Sequence, residues 1–436
     1  MVTLEQRKRA SFETGRGAGR GAGRGVVRGA LRGATTAAAM VLLLGGAGVL
    51  GAETRVQTEI ESFAATVWTG EELGLTGLTR GTVDFRSAGD RNVQSRLQLR
   101  LTLLEDSSGA SSPAFLEVPR ASIRFRFPLT EEYSMRVTTG RDRLSWGLGS
   151  LFNAADLIFG ADGRSTADFT RSEDVRDETT WLLALYFPVG ALGYLEAVAL
   201  PPLPELSLGG TANAAQDYPD DPDGSPSTGT TGNGATAVAP AADSRAGLRL
   251  HSSAGPLTVE PSWLYDGSAG VHRTAIALQG SLGADLYGAA ALHLPEDGPP
   301  PGRGRIGHVL EDYSLLSLGA FYLFPIGRDH TLAARLEALI TPAGAWNDLR
   351  NPEAGYAVQL HPELVWGAGR TVQVIGRGLV SPIDASAEIT GGVAWNVFQG
   401  FHMLAFVSVQ AGDDTSVYGW GRAESATLAL GFRYLY

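Results

Sequence analysis

Between residues 96 and 136 stand six arginines, Arg96, Arg100, Arg120, Arg124, Arg126 and Arg136. A guanidinium stays charged at any accessible pH and presents five donors in a rigid fork, so grouped arginines attract and orient anions. They are poor proton acceptors and no nucleophiles. The rest of the chain offers little for covalent chemistry. With no Cys among 436 residues, thiolate nucleophiles, sulfur metal sites and disulfides are absent. Seven histidines, at 251, 272, 293, 308, 330, 361 and 402, include no pair at metal-ligand spacing, and no GxSxG elbow occurs. A Ser, His and acid set assembled in space stays open, because such sets follow no fixed chain order. The expectation is a protein with no catalytic residue, no metal and no cofactor.

The segment around Arg96 and Arg100, "RNVQSRLQLRLTLLED", shows what must position them. A helix would scatter Leu97, Leu99, Leu101 and Leu103 around its cylinder. A strand sorts them to one face with Val93, and Gln94, Arg96, Gln98, Arg100 and Thr102 to the other. "RASIRFRF" repeats the pattern, setting Ala121, Ile123, Phe125 and Phe127 against Arg120, Ser122, Arg124 and Arg126. "EYSMRVTTG" sets Tyr133, Met135 and Val137 against Ser134, Arg136 and Thr138. Three neighbouring strands therefore share one oily and one basic face. A soluble sandwich would simply turn the polar face to water. Strands of 9 to 11 residues repeated to the chain end fit instead a barrel crossing a bilayer at a tilt.

Residues 1–52 read as a signal peptide: Arg7, Lys8, Arg9 and five further arginines precede the apolar run "AAAMVLLLGGAGVLGA". The arginine-glycine repeat in this segment is the front of that signal, and no nucleic-acid partner is expected. It holds 8 of the 35 basic and 2 of the 46 acidic residues, so residues 53–436 carry 27 basic against 44 acidic groups. Lys8 is the only lysine. A Walker A lysine, a Schiff-base lysine and a lysine general base are thereby excluded from the remainder. No stretch after residue 52 reaches 18 apolar residues, which leaves a closed barrel as the way to span a membrane.

Strand signals and breakers predict an all-β, transmembrane, antiparallel up-and-down barrel over residues 53–436, with about eighteen strands and sixteen as the alternative. The expected strands are 57–68, 79–87, 91–105, 115–127, 131–141, 178–188, 190–200, 245–253, 256–266, 271–281, 284–294, 313–324, 329–341, 355–366, 370–381, 386–397, 400–411 and 423–436. Short links such as "PLT", "SAG" and "FQG" alternate with longer ones, as in outer-membrane barrels. Two connections are long, near 142–177 and 201–244. The second is rich in Pro, Gly, Ser, Thr and Asp, a composition of a solvated loop. Its "DDPDGSPS" lacks the downstream glutamate of a calcium loop.

The chain ends in "ATLALGFRYLY", in which Gly431, Tyr434 and Tyr436 resemble the signal read by the outer-membrane barrel assembly machinery. That resemblance implies delivery to a bacterial outer membrane, with its lipid and the assembly machinery as partners. "TGRDRLSWGLGSLFNAADLIFG", residues 139–160, resembles a segment of porin-like barrel families through Gly140, Arg141, Trp146, Gly147, Gly149, Asn153 and Asp156. Ala154 stands where those families often carry proline. The resemblance implies a porin-like barrel in which this segment is a candidate constriction.

On this reading the six arginines line the channel, which passes small polar or charged solutes passively and prefers anions. Later inward positions are of mixed sign: Arg249, His251, Glu260, Arg335, Glu337, His361, Glu363, Arg377, Glu388 and Arg433. A plugged structural or adhesive barrel and a transporter of more hydrophobic cargo are the competing readings.

Overall fold

The computed structural model describes residues 54–69, 72–87, 92–106, 114–163, 176, 178–202, 207–208, 244–299, 304, 306–342, 356–413, 416–418 and 425–436. The segment expected to be a signal peptide, the calcium-like stretch and most of the 201–244 connection lie outside these residues. No helix among them is long and apolar enough to cross a membrane.

Eighteen strands form the wall: β1 Thr54–Thr69, β2 Glu72–Ser87, β3 Val93–Asp106, β4 Ala114–Pro128, β5 Ser134–Asp142, β6 Thr180–Pro188, β7 Gly193–Leu200, β8 Arg245–Ala254 and β9 Leu257–Asp266. The other half comprises β10 Val271–Ser281, β11 Asp285–Pro295, β12 Ser314–Ile326, β13 His330–Pro342, β14 Tyr356–Ala368, β15 Val372–Ser381, β16 Ser386–Phe398, β17 Phe401–Ala411 and β18 Ser425–Leu435. One short helix, α1 Ile306–Tyr313, precedes β12, and a two-residue strand, Ser207–Leu208, pairs with β4. Each strand pairs antiparallel with its sequence neighbour, and β7 meets β8 directly despite the 44-residue connection 201–244. The sheet closes where β1 pairs with β18 from Glu59–Leu435 to Thr69–Ser425. Closure leaves no edge strand with unpaired amides, which is what a sheet needs to stand in hydrocarbon.

The order and count of strands match the sequence reading. β2 begins at Glu72, earlier than the expected residue 79. Gly74, Gly77 and Gly81 interrupt its alternation in the sequence, yet its pairing with β1 runs unbroken to Glu72–Thr69.

Period-two alternation divides the wall as expected. Leu97, Ile123, Phe127, Leu183, Leu185, Leu248, Leu250, Ile276, Leu278, Leu336, Leu364, Val407 and Leu430 are exposed on the outside. An apolar surface running round the whole sheet is the face a transmembrane barrel turns to lipid. The inside holds the buried polar residues, among them Glu61, Asp84, Glu196, Arg249, Glu260, Glu337, His361 and Glu363. It also holds the largest apolar core, built from Trp146, Ala154, Ala155, Leu157 and Ile158 of the β5–β6 connection against Leu182, Val198, Leu200, Leu264 and Ala289 of the wall.

Candidate channel constriction

The β5–β6 connection turns inward as soon as β5 ends. Gly140 permits the approach: its φ is +114°, and a Cβ there would lie 2.1 Å from the Ala121 carbonyl oxygen. Beyond it, residues 143–163 fold upon themselves around Asn153. The Asn153 amide donates to the Trp146 carbonyl at 2.7 Å, and its side-chain oxygen accepts from the Ala155 N–H at 3.1 Å. Gly147 has φ +78° and abuts the Asn153 side chain, while a Cβ on Gly149 would strike the Phe152 carbonyl. Both glycines are therefore required by close backbone approach.

Asp156 ends the fold of the loop by accepting from the Ile158 and Phe159 N–H groups, each at 3.3 Å. Arg176, on the return limb, pairs with Asp156 at 3.0 Å and also donates to the carbonyls of Leu151 at 2.6 Å, Gly160 at 3.1 Å and Ala161 at 2.5 Å. Burial pushes the Asp156 carboxyl up to about 6, with Arg176 pulling the other way.

The wall holds this loop from many strands. Glu337 on β13 is 0 % exposed and accepts the N–H groups of Ser150, Leu151 and Phe152 at 2.8, 2.8 and 2.9 Å. Ser317 on β12 accepts the Ala154 N–H at 2.9 Å. Glu196 on β7 accepts the indole N–H of the fully buried Trp146 at 2.9 Å and pairs with Arg249 at 2.8 Å. From β8 and β10, Arg245 and Arg273 donate to the carbonyls of Ile158 and Leu157 at 2.8 and 3.3 Å. The loop thus lies against the inner face of β6 through β13.

Arg96, Arg100, Arg120, Arg124, Arg126 and Arg136 stand on the inward face of β3, β4 and β5. Asp84 on β2 accepts both Arg96 at 2.6 Å and Arg86 at 2.7 Å. Arg100 lies 4.0 Å from Glu117. Arg126 donates to Ser134 Oγ at 2.8 Å, and the Arg136 guanidinium sits 3.8 Å above the Tyr186 ring. Among the described residues no carboxylate lies within 4 Å of Arg124, Arg126 or Arg136. A cleft of about 750 Å³ between arginine wall and loop is lined by Arg86, Arg96, Arg120, Arg124, Asp142 and Arg143. A second, of about 320 Å³, is lined by Arg124, Arg126, Arg136, Ser134 and Tyr186 and by one carboxylate, Glu132.

Arg141 stands apart from these. It pairs with Ala121, on the outer parity of β5, and its Nε donates to Thr179 at 3.1 Å. Asp142, the next residue, faces inward and accepts from Ser122 at 3.0 Å. Gly431 lies on the inner face of β18 opposite Phe63, whose ring fills the place of a Cβ. Tyr434 and Tyr436 end the chain beside β1, Tyr436 exchanging two 2.9 Å backbone bonds with Thr58.

Sequence reasoning did not single out Asp84, Arg176, Tyr186, Glu196 or Ser317. Glu196 carried a signal, a lone carboxylate in the apolar strand "GYLEAVAL". Arg176 carried none, since it lies in no strand whose alternation could point it.

An eighteen-strand closed barrel with an apolar outside, a polar inside and a connection packed within it is a porin-like β-barrel. No protein-family model matches the chain, and no curated protein matches it in sequence. Among solved structures, a mutant of Rhodopseudomonas blastica porin is 12% identical over 88% of this chain and 100% of that one, with a TM-score of 0.39. OccD3 (OpdP) of Pseudomonas aeruginosa is 10% identical over 88% of this chain and 91% of that one, with a TM-score of 0.43.

Proposed function

We propose that this barrel is a channel of the bacterial outer membrane that lets small polar or charged solutes pass passively and that favours anions. The observation that carries the reading is the set Arg124, Arg126 and Arg136, which has no ion pair among the described residues and outnumbers Glu132, the one carboxylate lining the same open cleft. Cations fixed on a low-dielectric wall raise the local potential, concentrate anions and replace part of their hydration. The loop supports the same reading, because its packing against β6–β13 occupies one side of the lumen and leaves the arginine side facing space. Passage needs no covalent step.

The same reading gives Gly431, Tyr434 and Tyr436 the role of an assembly signal, and membrane lipid the role of partner to the outer face. Conductance of the purified, folded protein in a planar bilayer under a salt gradient tests the channel. Stable current steps with an anion-sided reversal potential are expected, moving toward the cation side when Arg124, Arg126 and Arg136 are replaced by Gln. Silence from folded barrel would overturn the reading in favour of a plugged scaffold.

A further inference from the structure

One group of inward side chains is arranged for a chemistry that passage of solutes does not use. On β8 and β9, His251 Nδ1 donates to Glu260 Oε1 across 2.5 Å. The other ring nitrogen, Nε2, lies 3.2 Å from Ser253 Oγ. Glu260 is 4% exposed, and its second oxygen accepts from the Gly147 N–H at 3.3 Å and from Arg249 at 3.5 Å. Tyr194 stacks on the imidazole at 4.7 Å with 13° between planes, which fixes the ring. The three groups share a face because Ser253 follows His251 by two residues on β8, and Glu260 lies between the cross-strand pairs Val259–Ser252 and Ser262–Arg249.

This is the order acid, imidazole, hydroxyl, in which a buried carboxylate orients a histidine that can take the proton of a serine. His251 and Ser253 are also surplus to the anchoring of the loop. Trp146, Gly147 and Ser145 are held by Glu196, Glu260 and Arg249, and none of these bonds involves His251 or Ser253.

We infer that Ser253, His251 and Glu260 form a nucleophilic serine site inside the lumen that hydrolyses small carboxylic esters, with preference for esters bearing an anionic end. Ser253 Oγ bonds to the acyl carbon while its proton passes to His251 Nε2, and Glu260 stabilises the imidazolium. Collapse breaks the bond to the leaving oxygen, which takes the proton from Nε2. Water then attacks the acyl-serine, its proton passing through His251 to Ser253 Oγ, and the carboxylic acid departs. Thr258 Oγ1, 3.3 Å from Ser253 Oγ, places a hydroxyl where it can donate to the developing oxyanion.

The anionic preference rests on the arginine site proposed above. Arg136 covers Tyr186, Tyr186 packs on Tyr194 at 4.5 Å, and Tyr194 covers His251, so the cation lies three strands away and at most about 13 Å from the imidazole. An ester with a carboxylate at the far end of a ten-carbon chain spans that interval.

The test treats the folded barrel in detergent with a fluorophosphonate probe and locates the adduct by mass spectrometry. It then compares hydrolysis of the mono-4-nitrophenyl ester of decanedioic acid with that of 4-nitrophenyl decanoate. The expected result is one adduct on Ser253, lost in Ser253→Ala and formed about 100-fold more slowly in His251→Gln, with faster cleavage of the anionic ester. No adduct on Ser253, or an unchanged rate in His251→Gln, overturns the serine site. Equal cleavage of the two esters overturns the anionic preference alone. Conductance of the same preparation reports separately on the channel reading.

Discussion

Glu337 and Phe152 are 185 residues apart in sequence and joined by a 2.9 Å hydrogen bond from the Phe152 N–H to Glu337 Oε2. The same carboxylate takes the N–H groups of Ser150 and Leu151 and the hydroxyl of Tyr287. One fully buried side chain on β13 therefore satisfies three backbone donors of the inward loop. Glu337→Ala leaves those donors unpaired in a dry place, at about 1–3 kcal/mol each. The expected outcome is a loop released from β13: faster amide hydrogen exchange at residues 150–152 and larger, noisier current steps in a bilayer. Exchange unchanged at these amides would mean that the remaining anchors alone hold the loop.

Asp156 and Arg176 make opposite predictions although they form one ion pair. The folded protein raises the Asp156 carboxyl from 3.8 to about 6, so it binds this proton more tightly than the unfolded chain does. Stability from this group is fully present below 3.8 and is lost as pH rises through about 6. Asp156→Asn, which keeps an acceptor for Ile158 and Phe159, is expected to be at least as stable as the parent at pH 7 and to remove that pH dependence. Arg176→Met strands a buried carboxylate and three carbonyls, and is expected to cost about 3–5 kcal/mol. Urea unfolding in detergent micelles across pH 3.5 to 7.5 measures both.

Gly140 and Gly160 separate steric demand from backbone strain. Both have positive φ, +114° and +102°, but a Cβ at Gly140 meets the Ala121 carbonyl while a Cβ at Gly160 meets nothing within 4 Å. Gly160→Ala carries only the conformational cost of about 1–2 kcal/mol. Gly140→Ala adds overpacking of about 1–3 kcal/mol. Heat-shift electrophoresis should show both barrels folded, with the lower unfolding temperature in Gly140→Ala.

The wall was legible in the sequence because lipid and lumen impose opposite demands on successive residues. Leu97 against Arg96 and Ile123 against Arg124 show the alternation without ambiguity. The same parity assigns Arg141 to the outer face, since it continues the series Met135, Val137 and Thr139. What the sequence could not show is the partner of each inward group. Glu337 reads as one more polar wall position until the turn of the loop, set by Gly140, Gly147 and Gly149, brings Phe152 to it. The relation of Ser253 to His251 is local, two residues along one strand, but that of His251 to Glu260 depends on the register across the β8–β9 turn.

Asp84 sets how much of the basic wall acts as free charge. It holds Arg96 at 2.6 Å and Arg86 at 2.7 Å, so two guanidinium groups share one carboxylate at the edge of the larger cleft. Asp84→Asn keeps a hydrogen-bond acceptor and removes the negative charge. In a solvated passage, one unit charge about 4 Å away is worth about 1 kcal/mol. The ratio of anion to cation permeability is therefore expected to rise on the order of twofold to fivefold, with the increase shrinking at high salt as screening grows. Reversal potentials under matched gradients at 0.1 M and 1 M potassium chloride measure the change. A ratio unmoved at low salt would place the permeating ions away from the arginines, along the wall of β14 to β18.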